Sequence, residues 1–165
     1  MKTLFLIRHA KSSWDDLSVK DIDRPLNGRG KKNAPMMGKI LFDKGVRPDV
    51  IISSHAKRAG STAKKIAREL NYDKENILIE EKIYEAEIKS LLKIVNGLNN
   101  KWTTVILIGH NPGFTEFCNY LSGSDILNIP TCGVAEIHFD FNDWKMVSQD
   151  TGELKYFDFP KRYPV

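Results

Sequence analysis

Lys2-Thr3-Leu4-Phe5-Leu6-Ile7-Arg8 opens the chain with a nearly unbroken apolar run that ends on a charge. Two later stretches share its character, Pro48-Asp49-Val50-Ile51-Ile52-Ser53 and Thr103-Thr104-Val105-Ile106-Leu107-Ile108. A strand with one wet face alternates apolar and polar residues, whereas short aliphatic, β-branched runs suit strands covered on both faces. Helical candidates lie between them, over residues 56–70, 88–98 and 112–121. A further helix is expected after Asn27, although Pro35 and Gly38 weaken its first turns. Strand and helix taking turns in this way predict a three-layer α/β/α fold around a mainly parallel central sheet.

The last third changes period. Val134, Glu136, His138 and Asp140 alternate with Ala135, Ile137, Phe139 and Phe141, the pattern of a half-buried strand. Asn142-Asp143 reads as a turn into residues 144–148, and Thr151-Gly152 precedes a final strand near residues 153–157. An antiparallel C-terminal extension of the sheet is therefore expected. No internal repeat or break in composition divides the 165 residues, which read as one domain spanning 1–165.

Hydrophobic residues at 41% and charged residues at 28% disfavour a disordered or collagen-like chain. The 25 Lys and Arg against 21 Asp and Glu leave a net charge of +4, too small a surplus to mark nucleic acid as the partner. Lys31-Lys32 and Lys64-Lys65 also lack the interleaved aromatics of a base-binding surface. Cys118 and Cys132 make neither a disulfide framework nor a zinc pattern, and reduced cytosolic thiols are expected. The opening apolar run stops at Arg8, short of a membrane span or signal core, so a cytoplasmic protein with no membrane partner is expected. Nothing in the pattern fixes an oligomeric state.

Open α/β sheets bind ligands beyond the carboxyl ends of their strands. The first run releases Arg8-His9-Ala10-Lys11-Ser12 there. Arginine offers a fixed fork of donors for phosphate, and histidine can donate, accept or attack. The second releases Ser53-Ser54-His55, followed by Arg58 near the first turn of a helix, where free backbone N–H groups favour an anion. Thr62, four residues on, shares that helical face and can line or support the corner. The third releases Gly109-His110-Asn111-Pro112-Gly113, in which Gly109 permits close approach, Asn111 can cap and Pro112 suits a helix start. Each residue alone also reads as a surface charge or a turn histidine; the case rests on convergence. Arg24, beside Asp21 and Asp23, either ties down its loop or faces a phosphate. Trp14 either flanks a docking surface or covers the loop, and His55 either borders the crevice or serves the helix entry. His138 reads as a solvated histidine on a polar strand face.

Together these residues resemble the histidine phosphatase superfamily, whose members include the phosphoglycerate mutases. The carriers are Arg8-His9, Ser53-Ser54 with Arg58-Ala59 and Thr62-Ala63, and His110. Asp23-Arg24-Pro25-Leu26-Asn27 with Gly30, Ile83-Tyr84-Glu85-Ala86 and Gly109-His110-Asn111-Pro112-Gly113 are more similar to its compact SixA-type phosphohistidine phosphatase branch. The resemblance spans about residues 2–140. It implies a phosphoglycerate mutase-like fold, His9 as a transiently phosphorylated nucleophile, Arg8 and Arg58 as a phosphoryl clamp, and His110 as a stabiliser of developing charge. It implies no cofactor and no metal. Arg24 and Asp15 join Arg8, Arg58 and His110 as expected substrate contacts, Asp15 standing where mutases commonly carry asparagine. Glu85 falls nearest the family's general acid, with Glu81 and Glu87 as competitors and an ordinary helix-start role equally open. The chain departs from the family's Arg-His-Gly followed by Glu, having Ala10-Lys11 after Arg8-His9.

The implied activity is hydrolysis of phosphohistidine on a protein partner. Little chain is available between Glu85 and His110 for a lid, which favours access by a folded phosphoprotein. The rivals are a small-molecule phosphomonoesterase using the same site and a catalytically weak phosphate-binding adaptor.

Overall fold

The computed structural model describes residues 1–163. The three apolar runs become β1 (Lys2–Arg8), β2 (Val50–Ser53) and β4 (Thr104–Gly109), with a two-residue β3 (Leu78–Ile79) between the last two in sequence. With β5 (Val134–Phe139) and β6 (Gly152–Asp158) they form one six-stranded sheet in the order β3-β2-β4-β1-β5-β6. The pairings β1–β4, β2–β4 and β2–β3 are parallel, whereas β1–β5 and β5–β6 are antiparallel. The antiparallel extension falls where the sequence period changes.

Neighbouring residues of β1 point to opposite faces, and both faces are buried. Leu4 and Leu6, with Val105 and Leu107, meet Leu91, Val95, Phe117 and Leu121 of α3 (Ile88–Asn96) and α4 (Gly113–Ser122). Phe5 and Ile7, with Ile106 and Ile108, meet Met37, Leu41, Ala63 and Ile66 of α1 (Gly28–Asp43) and α2 (Lys57–Glu69). Hence the run cannot alternate: any polar residue in it would lie in one of two cores. Truncating a fully buried leucine such as Leu6 to alanine would cost about 2–5 kcal/mol.

Helix α1 starts on Asn27, whose side chain accepts the Gly30 N–H at 2.9 Å, and it continues through Pro35. A proline there gives up one backbone hydrogen bond. The buried stripe Ala34, Met37 and Leu41 compensates by packing against α2. Gly38 is required at the crossing, since a Cβ there would lie 2.9 Å from that of Glu69.

Beyond β5, the segment after Asn142-Asp143 forms a 3-10 turn, Trp144–Met146. Trp144 is buried against Phe139 and donates its ring N–H to the Trp102 carbonyl at 2.9 Å. Strand β3 escapes a pattern-based reading because its two residues are both exposed. His138 is half-buried and lies 2.6 Å from Glu136 Oε2, a closer partnership than a solvated histidine has. Among the described residues no helix is long and apolar enough to cross a membrane.

Candidate active site

Register brings the candidate residues together. Arg8 is opposite Gly109 in the parallel β1–β4 pair, so His9 and His110 leave adjacent strands side by side. The His9 N–H donates to the Gly109 carbonyl at 3.0 Å, and the two rings stand 5.2 Å apart between centroids, tilted by 51°. On the other side of β4, the Ser54 N–H donates to the Ile108 carbonyl at 3.0 Å. Gly109 permits this crowding, because a Cβ there would lie 2.6 Å from both Ile83 and Phe114.

Around these strand ends is a cavity of about 220 Å³ lined by Arg8, His9, Lys11, Ser12, Trp14, Arg24, Arg58, His110, Asn111 and Thr131. A larger groove of about 600 Å³ lies between β3 and α3, but it is lined by neither histidine nor arginine. Both strand-end histidines and the three arginines Arg8, Arg24 and Arg58 line the smaller one.

His9 is 7% exposed. Its Nδ1 lies 2.7 Å from the Ala10 carbonyl oxygen, which can only accept, so Nδ1 carries the proton and Nε2 the lone pair. Burial lowers the His9 pKa to about 4, the Ala10 hydrogen bond opposing and Arg58, Arg8 and Arg24 adding to the fall. His110 is lowered to about 3, first by burial and then by His9 and Arg58. Both imidazoles are therefore neutral near pH 7.

The arginines are fixed by the fold. Arg8 donates from Nη1 to the Ile129 carbonyl at 2.9 Å. Arg58, in the first turn of α2, donates from Nη1 to the Asp21 carbonyl at 2.7 Å and pairs through Nη2 with Asp21 Oδ2 at 3.1 Å. Arg24 pairs through Nε with Asp21 Oδ1 at 3.0 Å, donates to Ser12 Oγ, and stacks over Trp14 with 3.6 Å to the ring centre. Arg24 thus ties down its loop and lines the cavity at once. Thr62 supports rather than lines: its hydroxyl accepts the Ala10 N–H at 2.9 Å and donates to the Arg58 carbonyl at 2.8 Å.

Asp21 is the shared counter-charge, and its carboxyl is held at about 2. The Tyr84 hydroxyl that donates to it is the largest cause, with Arg24 and Arg58 assisting against desolvation. Tyr84 also stands edge-on to His110, 5.3 Å between centroids. Three buried nitrogens, Arg8 Nε, Arg58 Nε and His110 Nδ1, have no hydrogen-bond partner among the described residues. Buried donors of this kind are costly in isolation and are satisfied when an oxyanion lies between them.

Two expected site residues are not brought to the cavity. Glu85 is exposed, at positive φ (56°) in the turn before α3, and does not begin the helix. That backbone geometry sends the half-buried Tyr84 toward His110 and leaves Glu85 on the surface. Asp15 is exposed in the loop after β1, where its N–H donates to Ser13 Oγ at 3.1 Å. Glu81 and Glu87 are exposed as well. His55 is exposed and meets Tyr84 edge-on, while Ser54 serves the helix entry by accepting the Ala56 N–H. The residues that sequence reasoning missed are Asp21 as a partner of Arg58 and Tyr84 as a partner of Asp21. The Asp21–Arg24 spacing of three residues signalled half of this network.

Among the described residues no group of three or more His, Cys, Asp or Glu is placed to hold a metal ion. Cys118 and Cys132 are buried free thiols. Neither lines the cavity.

Comparison with known proteins agrees with this geometry. Residues 4–96 match the model of the histidine phosphatase superfamily, branch 1. An uncharacterised chloroplastic protein of Arabidopsis thaliana is 32% identical over 87% of this chain and 69% of its own length. An uncharacterised protein of Mycobacterium tuberculosis is 28% identical over 94% of this chain and all of its own. Among solved structures, an Agrobacterium tumefaciens protein provisionally identified as the phosphohistidine phosphatase SixA superposes with a TM-score of 0.81 at 28% identity, covering 96% of this chain and 98% of that one. The protein histidine phosphatase SixA holding tungstate shares the fold at a TM-score of 0.84 and 18% identity, over 98% of this chain and 99% of its own. With over half of its length matched by the family model and its fold shared from end to end with SixA, the chain belongs to the histidine phosphatase superfamily, in the compact SixA-like branch.

Proposed function

We propose that this protein hydrolyses phosphohistidine on a protein partner, through a phosphohistidine intermediate on His9, as one domain spanning residues 1–165 and acting in the cytoplasm. The observation that carries the reading is the lining of the cavity: three arginines and two histidines, with no Asp or Glu among them.

Nε2 of the neutral His9 attacks phosphorus, forming a P–N bond as the P–N bond of the substrate breaks. The departing electron pair goes to the substrate's imidazole nitrogen. Phosphoryl transfer is loose, with charge spread over the phosphoryl oxygens, so fixed donors supply most of the catalysis. Arg8, Arg58 and Arg24 are placed for that role, with His110 beside the nucleophile. Water then attacks phosphorus, the second P–N bond breaks, its electron pair returns to His9 Nε2, and the water's oxygen and protons leave with the inorganic phosphate.

An alkoxide leaving group would need an acid at the cavity, and Glu85 is outside it. A phosphorylated imidazole protonated on its other nitrogen leaves as neutral imidazole and needs no such acid. The likeness to the Agrobacterium SixA protein supports the same substrate class. The arginines supply the charge that a metal pair would otherwise provide, so the proposed reaction is metal-independent.

The test is a comparison of kcat/KM for a phosphohistidine protein and for alkyl phosphomonoesters. A preference for phosphohistidine of at least a hundredfold is expected. Equal or higher efficiency with alkyl phosphates would replace this reading with that of a small-molecule phosphomonoesterase. Tight binding without turnover would mark an adaptor.

A further inference from the structure

At about 220 Å³ the cavity has room for a phosphoryl group and part of an imidazole, and the rest of a protein substrate must lie against its rim. Few large apolar side chains of the described residues are strongly exposed. Three of these belong to the two loops that wall the cavity: Trp14 at 64% and Leu17 at 87% in the loop after β1, and Leu127 at 99% in the segment before β5. The other five are Leu78 and Ile79 on β3 at the sheet edge, Met1, Met146 and Tyr163, all less exposed than these three.

Neither leucine is exposed by fraying. Leu17 lies within a closed turn, where the Val19 N–H donates to the Asp16 carbonyl at 3.3 Å and the Ser18 N–H to Asp16 Oδ1 at 3.0 Å. Leu127 lies between two anchored residues. Ile126 exchanges hydrogen bonds with the Asn119 side chain at 2.8 and 3.0 Å. Ile129 is fully buried, and its carbonyl accepts from Arg8 and from Asn111, both cavity residues. The loop that presents Leu127 is therefore fastened to the phosphoryl clamp itself. At these exposures the two leucines bury little or nothing within the chain, and burying each against a partner is favourable.

We propose that Leu17 and Leu127, on the two loops that supply Trp14 and Thr131 to the cavity lining, are the contact points for the folded protein that presents the phosphohistidine. The occupant is a protein surface with apolar residues around its phosphorylated histidine. The phosphoryl group enters among Arg8, Arg24 and Arg58 while the surrounding surface covers the two leucines and the outer face of Trp14. A free phosphorylated amino acid fills the same cavity and reaches neither leucine. The inference rests on the phosphohistidine reading and adds the surface by which that substrate is held.

The experiment measures Leu17→Ser, Leu127→Ser and the double variant on two probes. One is a folded phosphotransfer domain carrying phosphohistidine, and the other is free phosphohistidine. Both positions are exposed, so folding should be preserved, and circular dichroism and the melting temperature verify this. Each single variant is expected to raise KM for the protein probe about tenfold, with kcat unchanged, and the double variant more than either. Values for free phosphohistidine should stay within twofold of wild type. Unchanged kinetics on the protein probe, or an equal loss on both probes, would overturn the proposal. Wild-type protein that turns over neither probe but hydrolyses alkyl phosphates would overturn the phosphohistidine reading itself, and the docking surface with it.

Discussion

Ser54 Oγ lies 2.8 Å from His110 Nε2, and the same oxygen accepts the Ala56 N–H at 3.1 Å. The oxygen is thus held between the Ala56 N–H and the imidazole, and a serine that is fully buried fixes the orientation of the second histidine's ring. The other ring nitrogen, Nδ1, has no partner among the described residues. Ser54→Ala should lower stability by about 1–3 kcal/mol, the cost of a buried polar group left unmade. It should also slow turnover at least tenfold while the His9 phosphoenzyme still forms. Denaturant unfolding and single-turnover kinetics on the same preparations separate the two effects.

His9→Ala removes the nitrogen with the free lone pair, and both turnover and phosphoenzyme should vanish. His110→Ala keeps the nucleophile and loses a neighbour of the transferring group, so a fall of about 10²–10³ in kcat is expected. Alkaline quench and site-localised mass spectrometry read the phosphorylated residue directly. Phosphate mapped to His110 in the wild type would reverse the two roles.

The depressed histidines set a pH dependence. His9 is lowered to about 4 and His110 to about 3 in the folded protein, against an ordinary value of 6.5. The nucleophile must be neutral, so the acid limb of kcat/KM should fall near pH 4 and not near 6.5. For stability, the unfolded chain takes up protons on these imidazoles before the folded one does. Their contribution is thus complete above pH 6.5 and is lost as the pH falls toward 4 and below. Imidazole resonances followed by NMR should show neither ring titrating between pH 5.5 and 8.

Asp21 is bonded to both Arg24 and Arg58. Asp21→Ala should remove the carboxylate from both guanidinium groups, leaving Arg58 its bond to the residue-21 carbonyl and Arg24 its bond to Ser12, while making the cavity more positive. Turnover is expected to drop at least tenfold, yet inhibition by tungstate should hold or strengthen. Loss of both together would place Asp21 in folding and not in arginine placement.

Chelation should leave activity intact once metal content has been checked independently. Activity lost to chelator and restored only by stoichiometric Mg²⁺ or Mn²⁺ would contradict the arginine-based account of charge stabilisation.

The sheet was legible because its central strands are buried on both faces, which forces Leu4 to Ile7 and Val105 to Ile108 to be apolar without interruption. The strand ends were legible for the same reason, since Arg8, His9 and His110 stand where those runs stop. Other features had no local signal. Strand β3 is too short to show a period, and packing against α2 carries α1 through Pro35. Glu85 stands at positive φ in the turn before α3 while the Tyr84 ring lies beside His110, a backbone geometry that no residue pattern announces. Contacts joining residues 21, 58 and 84 bring together three separate loops and helix ends, and no spacing in the chain announces them.

Thr62 gives these separate parts a common fate. Its single hydroxyl satisfies the backbone of Ala10, next to the nucleophile, and the backbone of Arg58 at the clamp. The backbone just after the nucleophile is therefore tied to helix α2 at the same point as the clamp. Activity in this protein is a property of the completed molecule: a chain with its first strand formed but α2 still detached carries His9 without a phosphatase around it. Dephosphorylation is thus a reporter of whether helix α2 is seated against the loop that follows the first strand.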